Sequence, residues 1–232
     1  GERMVELADD APGIAYAERL CREALSAVDV DGAGLSMMTA AGHRGTVCAT
    51  DDIARRVEDL QFALGEGPCF DAFTGGGPVL MADVKVALSA VGARWPVFTE
   101  GVAQAGVGAL FAFPLLIGAI PLGALDLYRR RSEGLSPPQL RAAWKIADAA
   151  AGALLDVRSG TAMDLPDAAA PVGASYRLEV HQASGMASVQ LGVPIDEAFL
   201  RLRAHAYARD RNITDVARDV VAGRLQLSPE ED

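Results

Sequence analysis

Apolar residues recur at helical spacing near the start of the chain, where Leu20, Cys21, Ala24, Leu25 and Val28 share one face, and the run 29–34 ends that helix. Two strand-like runs follow over 35–39 and 46–50, and the glycines Gly42 and Gly45 between them suit a hairpin connection. Residues 78–82, 108–117 and 122–128 read as three more strands, the last two again joined by a Gly/Pro turn. A closing helix is expected over about 138–157, with Leu140, Trp144, Ala147, Ala151, Leu154 and Leu155 on one face. Ser136 is its expected cap, with Pro137 near the first helical position. Helix, antiparallel strands, helix predicts an α+β sandwich.

The pattern then changes. Residues 159–175 hold Gly160, Pro166, Pro171 and Gly173 and almost no large apolar side chain, which predicts a linker. Beyond it, the runs 177–191, 195–210 and 214–225 read as helices separated by Gly192, Pro194 and Arg211-Asn212, so a three-helix bundle is expected. On the middle helix Ile195, Ala198, Leu202 and Ala206 form the buried stripe. The expected division is therefore 1–158, a linker at 159–175, 176–227, and an acidic tail at 228–232.

Charge sharpens that division. The chain of 232 residues carries a formal net charge of −10, which argues against whole-molecule attraction to phosphate backbones or anionic lipid. Residues 1–176 hold 14 basic and 22 acidic side chains, whereas 177–227 hold 7 and 6, so any nucleic-acid site is local to the second domain. The apolar run 107–127 is interrupted by Pro114, Pro121 and glycines and reads as two strands, not a membrane helix. No basic stretch followed by an apolar one opens the chain, so no signal peptide is visible.

Cys21, Cys48 and Cys69 are odd in number and widely spaced, which predicts reduced thiols in a cytoplasmic protein, not a disulfide framework or a zinc site. Gly65-Glu66-Gly67-Pro68-Cys69 is the most distinctive string. The acidic neighbours Glu66 and Asp71 favour a structural thiol over a reactive one. His43, His181 and His205 share no ligand spacing, so neither a metal nor a cofactor is expected, and no nucleophile–base pairing marks a catalytic residue. The cluster Arg129-Arg130-Arg131 reads as exposed turn arginines or an anion site, and Trp95-Pro96 with Phe98 as a pocket wall or core. In the second domain Arg201, Arg203, Arg209 and Arg211 accompany His205 and Tyr207. That mixture suits phosphates and stacking on an unpaired base.

Residues 176–227 resemble the ANTAR domain, a three-helix RNA-binding module of bacterial transcription antitermination regulators. The resemblance rests on Ala183, Gly185 and Met186, on Asp196-Glu197-Ala198-Phe199, Leu202-Arg203 and Ala206, and on Asp215-Val216-Ala217 with Val220-Val221. Residues 14–157 resemble the GAF domains that precede ANTAR in high-GC Gram-positive bacteria. They do so through Leu60-Gln61-Phe62, the string 65–69, Ala72, Pro78-Val79, Asp83, Arg94-Trp95-Pro96, Pro114-Leu115 and Leu122-Gly123. The implied fold is an antiparallel GAF sheet flanked by helices, followed by an all-α bundle. The implied function is non-enzymatic: a GAF domain sensing an unidentified small molecule controls a domain that binds hairpin loops in nascent RNA, in a homodimer. Gly185, Arg201, Arg203, Ala206 and Tyr207 are the expected RNA contacts. Ser184 stands where many ANTAR domains carry Lys or Arg, which removes one expected phosphate contact. The rival reading is a thiol redox sensor or methionine-sulfoxide reductase acting through Cys69.

Overall fold

In a computed structural model the chain divides into two compact units, Gly1–Val172 and Gly173–Asp232. The structure describes residues 12–39, 42–89, 94–161, 175–209, 211 and 213–227. Most of the expected linker and all of the expected acidic tail lie outside these residues.

The first unit runs α1 (Pro12–Val28), β1 (Gly32–Thr39), β2 (Gly42–Ala49), α2 (Asp52–Leu64), α3 (Pro68–Gly75), β3 (Val79–Met81), α4 (Val84–Ser89), α5 (Pro96–Gln104), β4 (Ala109–Ile117), β5 (Ile120–Arg129) and α6 (Pro137–Thr161). The five strands form one sheet in the order β2-β1-β5-β4-β3, with every pairing antiparallel. Strand alternation gives the sheet two apolar faces. Ala33, Leu35, Phe111, Phe113, Leu125 and Leu127 pack with α1 and α6 on one face. The other face carries α2 to α5, with Phe98, Val102, Leu110 and Tyr128 in its core.

Four helices, α2 to α5, were not expected. The buried positions of α2 are Ala54, Val57, Glu58, Gln61 and Phe62, a helical i, i+3, i+4, i+7, i+8 set in which two members are polar. Its apolar residues Ile53, Val57, Leu60 and Leu64 do recur at helical spacing, so the helix is legible in the chain, whereas its two buried polar positions are not. Asp51 caps this helix, accepting from the Ala54 N–H at 2.7 Å, and Gly65 ends it in the left-handed region at φ 67°. The remaining three span only two turns or so.

One further expectation is corrected. Cys21 and Cys48 are joined by a disulfide, because α1 packs on the sheet and brings positions 27 residues apart together in the core. Most of the expected apolar face of α6 packs within the unit: Ala147, Ala151 and Leu154 are buried, and Trp144 meets Phe113 edge-on at 5.5 Å, while Leu155 is exposed.

The second unit comprises α7 (Ser175–Leu191), α8 (Ile195–Ala208) and α9 (Ile213–Val221). Val180, Ala183 and Ala187 of α7, Ala198, Leu202 and Ala206 of α8, Ile213, Val216, Ala217 and Val220 of α9, and Leu227 beyond it are buried apolar residues of this unit. Among the described residues no helix is long and apolar enough to cross a membrane.

Candidate functional site

The expected RNA contacts do not form one continuous surface of free cations. Arg201 bonds Glu197 one turn back, Nη2 to Oε1 at 2.9 Å. Arg203 is half-buried, with its guanidinium carbon 4.5 Å above the Phe199 ring, and burial lowers its pKa to about 10. Arg209 Nη1 lies 3.0 Å from His205 Nδ1, and the His205 ring is buried. Arg211 and Arg224 both pair with Asp219, and Arg218 pairs with Asp215 and Glu179. These pairs are partly exposed, and exposed ion pairs contribute at most about 1 kcal/mol, so a phosphate can displace the carboxylates.

Ala206 is 3% exposed and packs inside the bundle, so it offers no side chain to RNA and instead lets a neighbouring helix approach. The Tyr207 side chain lies outside the described residues. Gly185 sits half-buried on α7 with open space where a Cβ would be, so nothing in the bundle's own packing requires a glycine there. A helical glycine costs roughly 0.5–1 kcal/mol relative to alanine, and no packing contact in the bundle accounts for this one. Ser184 is buried and its hydroxyl donates to the Val180 carbonyl at 2.8 Å; it faces inward.

The first unit holds a buried polar group that the sequence reading missed. On the sheet face covered by α2 and α3, Ser36, Glu58, Gln61, Cys69 and Asp126 are all buried. Gln61 Nε2 donates to Asp126 Oδ2 at 2.7 Å, and Gln61 Oε1 accepts from the Cys69 N–H at 2.8 Å. The Thr46 hydroxyl donates to Glu58 Oε2 at 3.5 Å. Burial, then the charge of Glu58 and a hydrogen bond with it, holds the Asp126 carboxyl well above the usual carboxylate range. The signal that could have found this group is polar residues at helical core positions of α2, behind a capping Asp51.

Cys69 belongs to the same cluster. Gly67, at φ 136°, and Pro68 open α3 and turn the thiol into the core. Burial, then Asp126 and Glu58, pushes its pKa well up; Asp71, expected to act on it, instead pairs with Arg94. Trp95 stands in the left-handed region at φ 48° and Phe98 is core. Arg129 is fully enclosed, donating to the carbonyls of Val28, Asp29, Glu133 and Gly134, and Arg131 pairs with Asp29 and Glu133. The triplet is thus mainly a structural clamp, not an anion site. Among the described residues no group of three His, Cys, Asp or Glu side chains could hold a metal ion.

The sequence matches no family model and no curated protein. Solved structures do resemble it. A domain of a two-component sensor histidine kinase protein from Sinorhizobium meliloti aligns at 20% identity and TM-score 0.51, over 66% of this chain and 97% of that one. The GAF domain of the cyanobacteriochrome TePixJ aligns at 13% identity and TM-score 0.50, over 68% and 99%. The GAF3 domain of a Synechocystis protein in its photoproduct state aligns at 13% identity and TM-score 0.50, over 66% and 99%. The first unit thus has the GAF fold.

Proposed function

We propose that the protein is a non-enzymatic regulator of transcription in which a GAF sensory unit, responding to a small molecule, controls an ANTAR-like unit that binds hairpin loops in nascent RNA and acts by antitermination. Two copies acting together would engage paired loops. The observation that carries the reading is α8, where the Arg203 guanidinium sits 4.5 Å above the Phe199 ring and Arg201 is held by a partly exposed pair with Glu197. A guanidinium laid on an aromatic ring presents a preassembled plane on which an unpaired base stacks. Gly185, a glycine its own helix does not need, adds a second point of approach. The ANTAR-like residues around both positions support the same assignment.

The test is fluorescence anisotropy with short RNA hairpins at two salt concentrations. Arg203→Ala is expected to weaken binding by on the order of 1–3 kcal/mol if it contacts a base, or to reduce the salt slope if it contacts phosphate alone. Equal, salt-insensitive affinity of wild type and variant would refute the assignment.

A further inference from the structure

Asp126 and Glu58 are brought together by strand register. Gly34 on β1 pairs with Asp126 on β5. A Cβ built on Gly34 would lie 2.4 Å from Glu58 Oε1, so the Glu58 carboxyl fills the space above Gly34, beside the cross-strand Asp126. Cross-strand neighbours stand about 5 Å apart at Cβ, which puts the two carboxyls in contact. Gln61 fixes where the hydrogens are. The Cys69 N–H only donates, so Gln61 Oε1 faces it and Nε2 is left for Asp126 Oδ2. Asp126 Oδ1 is buried with no donor among the described residues, and what lies there is the Glu58 carboxyl, an acceptor until one of the two carries a proton. The Ser36 hydroxyl, fully buried on the same strand face, also has no partner among the described residues. Two adjacent buried carboxylates repel and are poorly solvated, and a single proton removes one charge while supplying the missing hydrogen bond.

We propose that the GAF unit is itself a proton-binding module: Glu58 and Asp126 hold one proton between them at neutral pH, and its release loosens α2 and α3 from the sheet. The proposal is independent of the RNA reading. The other groups facing the pair act the same way or are engaged elsewhere. From α3 comes the Cys69 thiol, itself neutral. At the start of α2 Asp51 accepts from the Tyr128 hydroxyl of β5 at 2.6 Å. No cation is among the groups that act on Asp126.

The sign follows from linkage. Below about pH 4 the carboxyls are neutral in folded and unfolded chains alike. As pH rises past that point the folded unit keeps a proton the unfolded chain has lost, so its folding constant falls by up to tenfold per pH unit until the pair ionises. The experiment is urea unfolding of the full chain from pH 5 to 8, followed by tryptophan fluorescence, since both tryptophans, Trp95 and Trp144, lie in the first unit. Asp126→Asn keeps the bonding pattern without a titrating proton, because its amide donates to Glu58 and its carbonyl accepts from Gln61. The variant is expected to lose the component of the wild-type slope that approaches tenfold per pH unit; parallel profiles would overturn the proposal. Should Asp126→Asn fail to fold, Glu58→Gln makes the same test from the other side. Infrared spectra of the wild type decide independently of either variant: a protonated-carboxyl carbonyl band persisting at pH 7 and lost at higher pH is expected, and its absence at pH 7 refutes the shared proton.

Discussion

Replacing Arg129 by methionine tests the claim that the arginine triplet is structural. The guanidinium is 0% exposed, and it donates to four carbonyls: Gly134 at 2.8 Å, Asp29 at 2.9 Å, Val28 at 3.1 Å and Glu133 at 3.3 Å. It thereby ties the end of α1 to the segment leading into α6, and its charge is matched by the Asp29 and Glu133 carboxylates at 4.0 Å. Methionine matches much of the stem but leaves the acceptors without a donor. A buried carbonyl left unpaired costs about 1–3 kcal/mol. Asp29, Glu133 and Gly134 are exposed and rehydrate, so the loss concentrates on the buried Val28 carbonyl and comes to roughly 1–3 kcal/mol. Against a domain stability of about 5–15 kcal/mol that is a large fraction. Urea unfolding monitored by tryptophan fluorescence measures it, with the denaturant slope expected to stay constant while the midpoint falls. Arg129→Lys is expected to recover only part of the loss, since an ammonium cannot reach carbonyls on both sides as the planar fork does. A loss below about 1 kcal/mol for the methionine variant would refute the clamp.

The remaining expectations concern close packing and the thiols. At Gly123 a Cβ would lie 2.0 Å from the Ser36 carbonyl oxygen, backbone against backbone, so Gly123→Ala is expected to destabilise by about 2–3 kcal/mol, whereas Gly152→Ala, where open space surrounds the helix, is expected to be neutral or stabilising; equal midpoints for the two would contradict the close β1–β5 approach. Thiol titration of the denatured, unreduced protein is expected to return one thiol per chain, Cys69, with reduction of Cys21–Cys48 lowering stability by about 3 kcal/mol; three thiols from protein purified without reductant would show that the pair is reduced, as a cytoplasmic setting favours.

What could be read in the chain and what could not divides along a physical line. The five strands and the helices α1, α6, α7, α8 and α9 each announce themselves through an apolar face or a breaker at each end, as with Gly192 and Pro194 between α7 and α8. The helix α2 also has a legible apolar series in Ile53, Val57, Leu60 and Leu64, but its inward polar positions do not follow from spacing. Glu58 and Gln61 occupy inward positions of α2 because Asp126, far along the chain on β5, meets them there, and that meeting depends on the register of β1 against β5. The same holds for the Cys21–Cys48 pair and for Arg129, whose acceptors include Val28 and Asp29, about a hundred residues away.

The candidate sites differ in legibility for the same reason. Arg201 and Arg203 are visible because a helix surface is a local property: spacing alone places them, and only their partners, Glu197 and Phe199, had to come from the fold, themselves just one turn away, whereas Gly185 stands out only through the ANTAR resemblance. The carboxyl pair is the opposite case. Neither Glu58 nor Asp126 stands out in composition or spacing, and each alone reads as one more acid in a chain of net charge −10. Chemistry appears only when the sheet removes both from water. Gly34, unremarkable in the sequence, is what makes room: any side chain at that position would take the space of the Glu58 carboxyl, so the glycine and the buried acid specify one another across two elements.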